Sequence, residues 1–202
     1  EKNGGEVKVI HGDMLMDKIT TKEDLERARL IALGLQSRRD KKLLSMETRM
    51  ATGFDVHKFS GEPGPLIIGG ISIPHEFSFD AHSDGDVALH AITDAIYGLI
   101  ADGDIGSHFP PSDNQWKDKD SSVFLLEAHR SLLSENGKIS FIDLTIIAEE
   151  PKIGPHRDEM RRRIADLLKL DISRVSVKAT TSEGLGFTGR KEGIAAQAAI
   201  TA

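Results

Sequence analysis

Apolar residues recur at Val87, Ala91, Ala95 and Leu99, one helical turn apart, and most positions between them are apolar too. The pattern predicts a buried helix over Val87–Ile100, with Ser83, Asp84 and Asp86 at its cap and first turn. Met50–Phe54, continuing into Asp55-Val56-His57, reads as a strand. Leu66–Ile68 and Ile71–Ile73 form a hairpin about Gly69-Gly70. Ser121 caps a helix with Val123, Leu126, Arg130 and Leu133 along one stripe. Ile139–Ala148 alternates, with Ile142, Leu144, Ile146 and Ala148 on one face. Pro155 opens a helix with Met160, Ile164, Leu167 and Leu168 inward and Arg161–Arg163 outward. Val175–Ala179 alternates again, and the small apolar run Ile194–Ile200 closes the sheet. Strands and helices mix without a Gly-rich phosphate loop, so the fold class is α+β, a mixed sheet packed against helices.

The first 47 residues follow a different pattern. Val7–Ile10 reads as a short strand, and Thr20-x-x-Glu23 as a capping box opening a helix to about Leu33. One strand and one helix cannot enclose a core, so residues 1–35 dock on something or end another domain. Residues 36–47, with Arg38, Arg39, Lys41 and Lys42, read as a linker, and residues 48–202 as a single catalytic domain. Inside that domain, Asp102–Lys119 is a long connection with Gly103, Gly106, Pro110 and Pro111, and loops of this length tend to be functional or disordered.

Composition narrows the function. The net charge of -6, from 32 acids against 26 bases, argues against general nucleic-acid binding. No run approaches the ~20 apolar residues that span a bilayer, and the start, Glu-Lys-Asn-Gly-Gly, is no secretory signal. Lacking an initiator Met, the chain reads as processed or cut from a longer one. With no cysteine, disulfides and thiolate metal sites are excluded, and a reducing compartment is permitted.

The candidate chemistry starts at His90, one turn inside the buried helix. A histidine there is ordinarily a satisfied core residue. Asp55 and His57, two apart on a strand, share a face. With His90 they offer two imidazole nitrogens and a carboxylate oxygen, a set that suits zinc and leaves a fourth tetrahedral position open.

Gly53-Phe-Asp-Val-His57, Ile68-Gly-Gly70, Ala81-His-Ser-Asp-Gly-Asp86 and Ala179-Thr-Thr-Ser-Glu-Gly-Leu-Gly-Phe-Thr-Gly-Arg190 stand together in one order and spacing. In them, residues from about Thr48 to Ala202 resemble the 2-C-methyl-D-erythritol 2,4-cyclodiphosphate synthase family. Gly12–Leu25 resembles the carboxy-terminal tail of the cytidylyltransferase of the same pathway, with Met16 where that family usually has Asn. The resemblance implies the cyclase half of a fusion, cytoplasmic in a bacterium or plastid in a eukaryote. The implied reaction turns 4-diphosphocytidyl-2-C-methyl-D-erythritol 2-phosphate into the cyclic diphosphate and CMP.

The implied site is detailed. Zinc lies on Asp55, His57 and His90, and Mg²⁺ or Mn²⁺ on Glu183. His82 and Ser83 sit over the reacting phosphates, and Thr180 and Thr181 reach them. Asp104, Ile105, Gly106 and Phe109 embrace the methylerythritol phosphate, with Pro111 where many members place an acid. Ala148, Pro151, Lys152 and Ile153 bind cytidine, and Phe187 and Arg190 face a cavity at the subunit junction. Asp84 and Asp86 read as capping or supporting groups. The implied assembly is a homotrimer with shared active sites. A metal-dependent phosphodiesterase would use the same ligands with a water in place of the substrate's phosphate. A non-catalytic cytidine-nucleotide-binding module would need neither the open metal position nor Glu183.

Overall fold

The computed structural model describes residues 21–44, 47–117 and 119–202. The strand expected at Val7–Ile10 and most of Gly12–Leu25 lie outside them. The first helix, α1, spans Lys22–Leu44. Its start is a reciprocal box one residue later than the Thr20/Glu23 pair. Asp24 N–H donates to Thr21 Oγ1 at 3.1 Å and Thr21 N–H to Asp24 Oδ2 at 2.9 Å. The helix continues past Leu33 through residues expected as linker. The chain divides between Glu47 and Thr48 into two compact units.

The second unit opens with β1 (Met50–Lys58), followed by the hairpin strands β2 (Leu66–Ile68) and β3 (Ile71–Ile73). Helix α2 (Val87–Leu99) comes next, then the short α3 (Ile105–His108), α4 (Ser122–Ser134) and β4 (Phe141–Ile147). The chain ends with α5 (Arg157–Leu168), β5 (Val175–Thr180), the short α6 (Gly186–Gly189) and β6 (Gly193–Thr201). The main sheet has the order β1-β6-β4-β5. β6 runs antiparallel to both neighbours, while β4 and β5 are parallel and joined through α5. It is the α+β architecture that the pattern of apolar positions implies.

Three details differ from the sequence reading. β6 does not close the sheet but lies inside it between two strands, its small side chains Ala196 and Ala198 buried beneath the helices. On α4 the buried stripe is Phe124, Leu125, Ala128 and Leu132, whereas Val123, Leu126 and Leu133 are exposed. Both stripes are apolar at helical spacing, and packing against α2 selects one. Arg161, expected outward with Arg162 and Arg163, is half-buried. Its guanidinium donates to the carbonyls of Val175 at 2.7 Å and Ile172 at 3.2 Å, tying α5 to the start of β5.

Two contacts fix α2 relative to the strands. Asp86 is its cap, fully buried, and its carboxylate accepts from the Ala88 and Leu89 amides at 3.1 and 2.9 Å. The same carboxylate accepts from the Gly69 and Gly70 amides at 2.8 and 2.5 Å, so the hairpin turn and the helix start share one anion. On the other side Gly53 of β1 lies directly against α2. A Cβ there would stand 2.0 Å from the Ala91 carbonyl oxygen and 2.7 Å from the Ala95 amide nitrogen. Only glycine permits that approach.

Burial pushes the Asp86 carboxyl up to about 6, against the pull of its amide hydrogen bonds. The folded value lies above the unfolded one, near 3.8. Folding therefore favours the protonated form, and this contribution is full below about 4 and lost as pH rises through about 6. Relative to Asp86→Asn, the parent should lose on the order of 3 kcal/mol of stability across that window. Denaturant melts of both proteins from pH 4 to 7 check this; parallel pH profiles would contradict it.

Candidate active site

Asp55 and His57 project from the inner face of β1, and His90 stands one turn into α2 beside the Gly53 contact. The strand's period of two and the close strand–helix approach bring three donor atoms to one point, all within 4.8 Å of one another. Asp55 Oδ2 lies 2.9 Å from His57 Nδ1 and 3.1 Å from His90 Nδ1. His57 Nδ1 is nonetheless buried without a hydrogen-bond partner. Burial pushes the Asp55 carboxyl up, but its polar contacts with His57 and His90 outweigh this and leave it well below the usual carboxylate range. An ionised carboxylate, two imidazoles and an orphaned nitrogen aimed at one point fit a divalent cation of borderline softness.

His57 and His90 of the triad open into a cavity of about 560 Å³, with Asp55 behind them. His57, His90, His82 and Ser83 line one side, and Ile105, Gly106, Phe109 and Pro111 another. Phe109 packs at 4.7 Å from Phe124 and 4.9 Å from Trp116, giving an aromatic wall in which Trp116 carries no sequence signal. Asp104 does not line the cavity; its carboxylate accepts from the Ser107 amide and hydroxyl at 2.8 and 2.7 Å and caps α3. His108 stacks on the buried Tyr97 ring at 3.9 Å, holding α3 against α2.

A second group gathers where the parallel strands β4 and β5 end. The Ala148 amide donates to the Thr180 carbonyl at 3.0 Å, which places Ala148–Ile153 beside Thr180–Glu183. Glu183 takes a left-handed backbone, φ 53°, and accepts from the Thr181 hydroxyl at 3.1 Å. Glu149, which the sequence reading passed over, holds this turn. Its Oε1 accepts from the Ser182 and Gly184 amides at 3.0 and 3.2 Å, and these bonds lower its carboxyl. None of these residues lines the triad's cavity. Phe187 lines a separate hollow of about 650 Å³ with Val56, Phe59 and Phe77. Arg190 makes a two-pronged ion pair with Glu192 at 2.8 and 3.0 Å.

Fold and triad together define a class, and comparison with known proteins gives its family: residues 48–202 match the YgbB family model, and the chain belongs to that family. It is 50% identical over 199 residues to the bifunctional enzyme IspD/IspF of Rhizorhabdus wittichii, covering 98% of this chain and 49% of that protein. With the bifunctional enzyme IspD/IspF of Gluconobacter oxydans it shares 49% over 201 residues, all of this chain and 49% of the relative. The chain thus spans about half the length of the curated relatives it matches. Among solved structures, bifunctional IspDF from Campylobacter jejuni aligns with a TM-score of 0.72 at 35% identity, over 98% of this chain and 50% of that one. A 2C-methyl-D-erythritol-2,4-cyclodiphosphate synthase in its CDP-bound form aligns with a TM-score of 0.69 at 37% identity, over 75% of this chain and 98% of that one. Residues 48–202 are therefore the IspF-type half of such an arrangement, an enzyme domain of the cyclodiphosphate synthase kind.

Proposed function

We propose that residues 48–202 catalyse closure of 4-diphosphocytidyl-2-C-methyl-D-erythritol 2-phosphate to 2-C-methyl-D-erythritol 2,4-cyclodiphosphate. An oxygen of the 2-phosphate attacks the β-phosphorus, the bond from that phosphorus to the bridging oxygen breaks, and CMP leaves with that oxygen. The observation that carries this reading is the convergence of Asp55, His57 and His90 at the wall of a cavity faced by His82, Ser83, Ile105, Gly106 and Phe109. Two phosphates repel, so the protein's task is to position and neutralise them. Zinc on the triad would withdraw charge from a phosphate oxygen, and Mg²⁺ or Mn²⁺ on Glu183 would do so between the α- and β-phosphates. His82 and Ser83 hold the reacting phosphates from the cavity's rim. Ile105, Gly106 and Phe109 enclose the methylerythritol moiety, with Asp104 steadying their loop. Thr180 and Thr181 bind phosphate, while Ala148, Pro151, Lys152 and Ile153 receive cytidine.

Incubation with the diphosphocytidyl substrate tests the activity: CMP and a cyclic diphosphate should appear together. CMP with a linear phosphate would favour phosphodiesterase chemistry, and tight cytidine-nucleotide binding without turnover a binding module.

The reading includes a homotrimer with shared sites. The cytidine segment and Glu183 lie away from the triad's cavity in one chain, so a neighbour completes the site. Phe54, Val56 and Phe141, 57%, 41% and 41% exposed, stand on the uncovered face of the sheet as apolar surface that suits subunit contact, and the hollow that Phe187 shares with Val56 supports a role for Phe187 and Arg190 at the junction. Chains carrying His90→Ala or Lys152→Ala, each inactive alone, should regain activity when co-expressed. No recovery in verified mixed trimers would contradict shared sites. A cytidylyltransferase domain is the further partner in this reading, supported by the bifunctional IspD/IspF relatives, and the compartment is the cytoplasm in a bacterium or the plastid in a eukaryote.

A further inference from the structure

Ser121 stands where a helix cap belongs, yet its hydroxyl makes no capping bond. That duty falls to Asp120, whose Oδ1 accepts from the Ser122 amide at 2.8 Å. The Ser121 hydroxyl is turned inward and the residue is fully buried. Its Oγ lies 2.8 Å from His90 Nε2 and within hydrogen-bond reach of Asp84 Oδ1. Asp84 Oδ2 also accepts from the Ser121 amide at 3.1 Å, so the carboxylate grips this serine by backbone and side chain.

The direction of these bonds follows from the number of protons. A hydroxyl donates one hydrogen, and an ionised carboxylate only accepts. Once Ser121 donates to Asp84, its oxygen can serve His90 only as an acceptor. His90 must then carry a proton on Nε2; its Nδ1, which lies 3.1 Å from Asp55 Oδ2, would turn its lone pair to the point shared with Asp55 and His57 when a cation is bound. Ser83 Oγ also faces Nε2, but at 3.4 Å, and it accepts from the Gly85 amide. Ser121 is the shorter and fully buried partner.

We propose that Asp84 and Ser121 form a positioning relay that sets the ring orientation and tautomer of His90 for metal binding. The proposal rests on the reading of the triad as a metal site and deepens it: this serine, thirty-one positions away from His90 in the chain, becomes a determinant of metal affinity. Metal-bound histidines that lose the acceptor for their other ring nitrogen bind metal about 10–100-fold more weakly. Neither residue need touch the substrate or the metal.

The test measures zinc affinity by competition with a chromogenic chelator, in the full chain, for the parent, Ser121→Ala, Asp84→Asn and the double variant. Ser121→Ala should bind zinc about 10–100-fold more weakly, and its imidazole N–H resonance should lose the protection from exchange seen in the zinc-loaded parent. Asp84→Asn keeps an acceptor without the charge and should lose affinity by a smaller factor. The double variant should resemble Ser121→Ala alone, because both changes act through one imidazole. Melting of the metal-free proteins gives the structural readout, and the affinity loss should exceed anything a change in Tm explains. Parental zinc affinity in Ser121→Ala, or strictly additive losses in the double variant, would overturn the relay. If Ser121→Ala does not fold, unchanged affinity in Asp84→Asn overturns it alone. A parent that binds no zinc removes the metal reading and the relay together, whereas a parent that binds while Ser121→Ala matches it removes the relay only.

Discussion

Substituting His90 with alanine should abolish metal binding and lower turnover roughly 10³-fold or more, since Lewis-acid stabilisation of a phosphoryl oxygen is worth several kcal/mol. The imidazole is one of three donors gathered within 4.8 Å, and the Asp55 carboxylate contacts both histidines. Its removal leaves Asp55 with one neighbour and the cation with two ligands. The helix itself should persist, because its core contacts run through Val87, Leu89, Ile92 and Ile96, and its cap is Asp86. Elemental analysis of purified protein, alongside CMP release and circular dichroism, checks all three points. A full complement of zinc in the variant would exclude His90 as a ligand.

Gly53→Ala should be the most destabilising single-methyl change in the domain's centre. The new Cβ would lie 2.0 Å from a backbone oxygen and 2.7 Å from a backbone nitrogen of α2, so the strand and helix must separate. No side chain can rotate away to relieve this. Overpacking of that kind costs about 3 kcal/mol, or roughly 6–12 °C in Tm for a domain of this size. Gly154→Ala, where an added Cβ meets nothing within 4 Å, is the matched control and should change stability by less than about 0.5 kcal/mol. The same separation moves Asp55 and His57 away from His90, so metal affinity should fall with Tm. A parental Tm in Gly53→Ala would show that the two backbones are not in this contact.

These two positions show what was legible in the chain and what was not. Asp55 and His57 declare a shared face through the period of a strand, but a histidine in an apolar helical repeat ordinarily reads as core, so the donor set takes its weight from the motifs around it. Gly53 stands in the sequence only as the first residue of the Gly53–His57 motif; its packing role depends on a helix that begins more than thirty residues later. The hairpin at Gly69-Gly70 was legible because its two glycines take φ 65° and 75°, as such a turn demands. On α4 two apolar stripes compete, and period cannot choose between them. Any serine before a helix reads as a cap, so Ser121 was assigned to the helix it precedes rather than to a histidine across the core. Ser121 and Glu149 act over long sequence separations that pattern does not encode. Trp116 lies in a stretch with no period at all.

The alternation along β1 has a consequence for how the protein reaches its working state. Asp55 and His57 face inward, while Phe54 and Val56 face the open side of the sheet, paired in register with Gln197 and Ala195 of β6. A slip of one residue would turn the carboxylate and imidazole outward and bury two large apolar side chains under α2. A misregistered chain therefore forfeits its metal donors and its outer apolar patch in a single error. If the triad holds a metal as proposed, its uptake would be in effect an inspection of strand register, passed only by chains whose sheet has been correctly assembled.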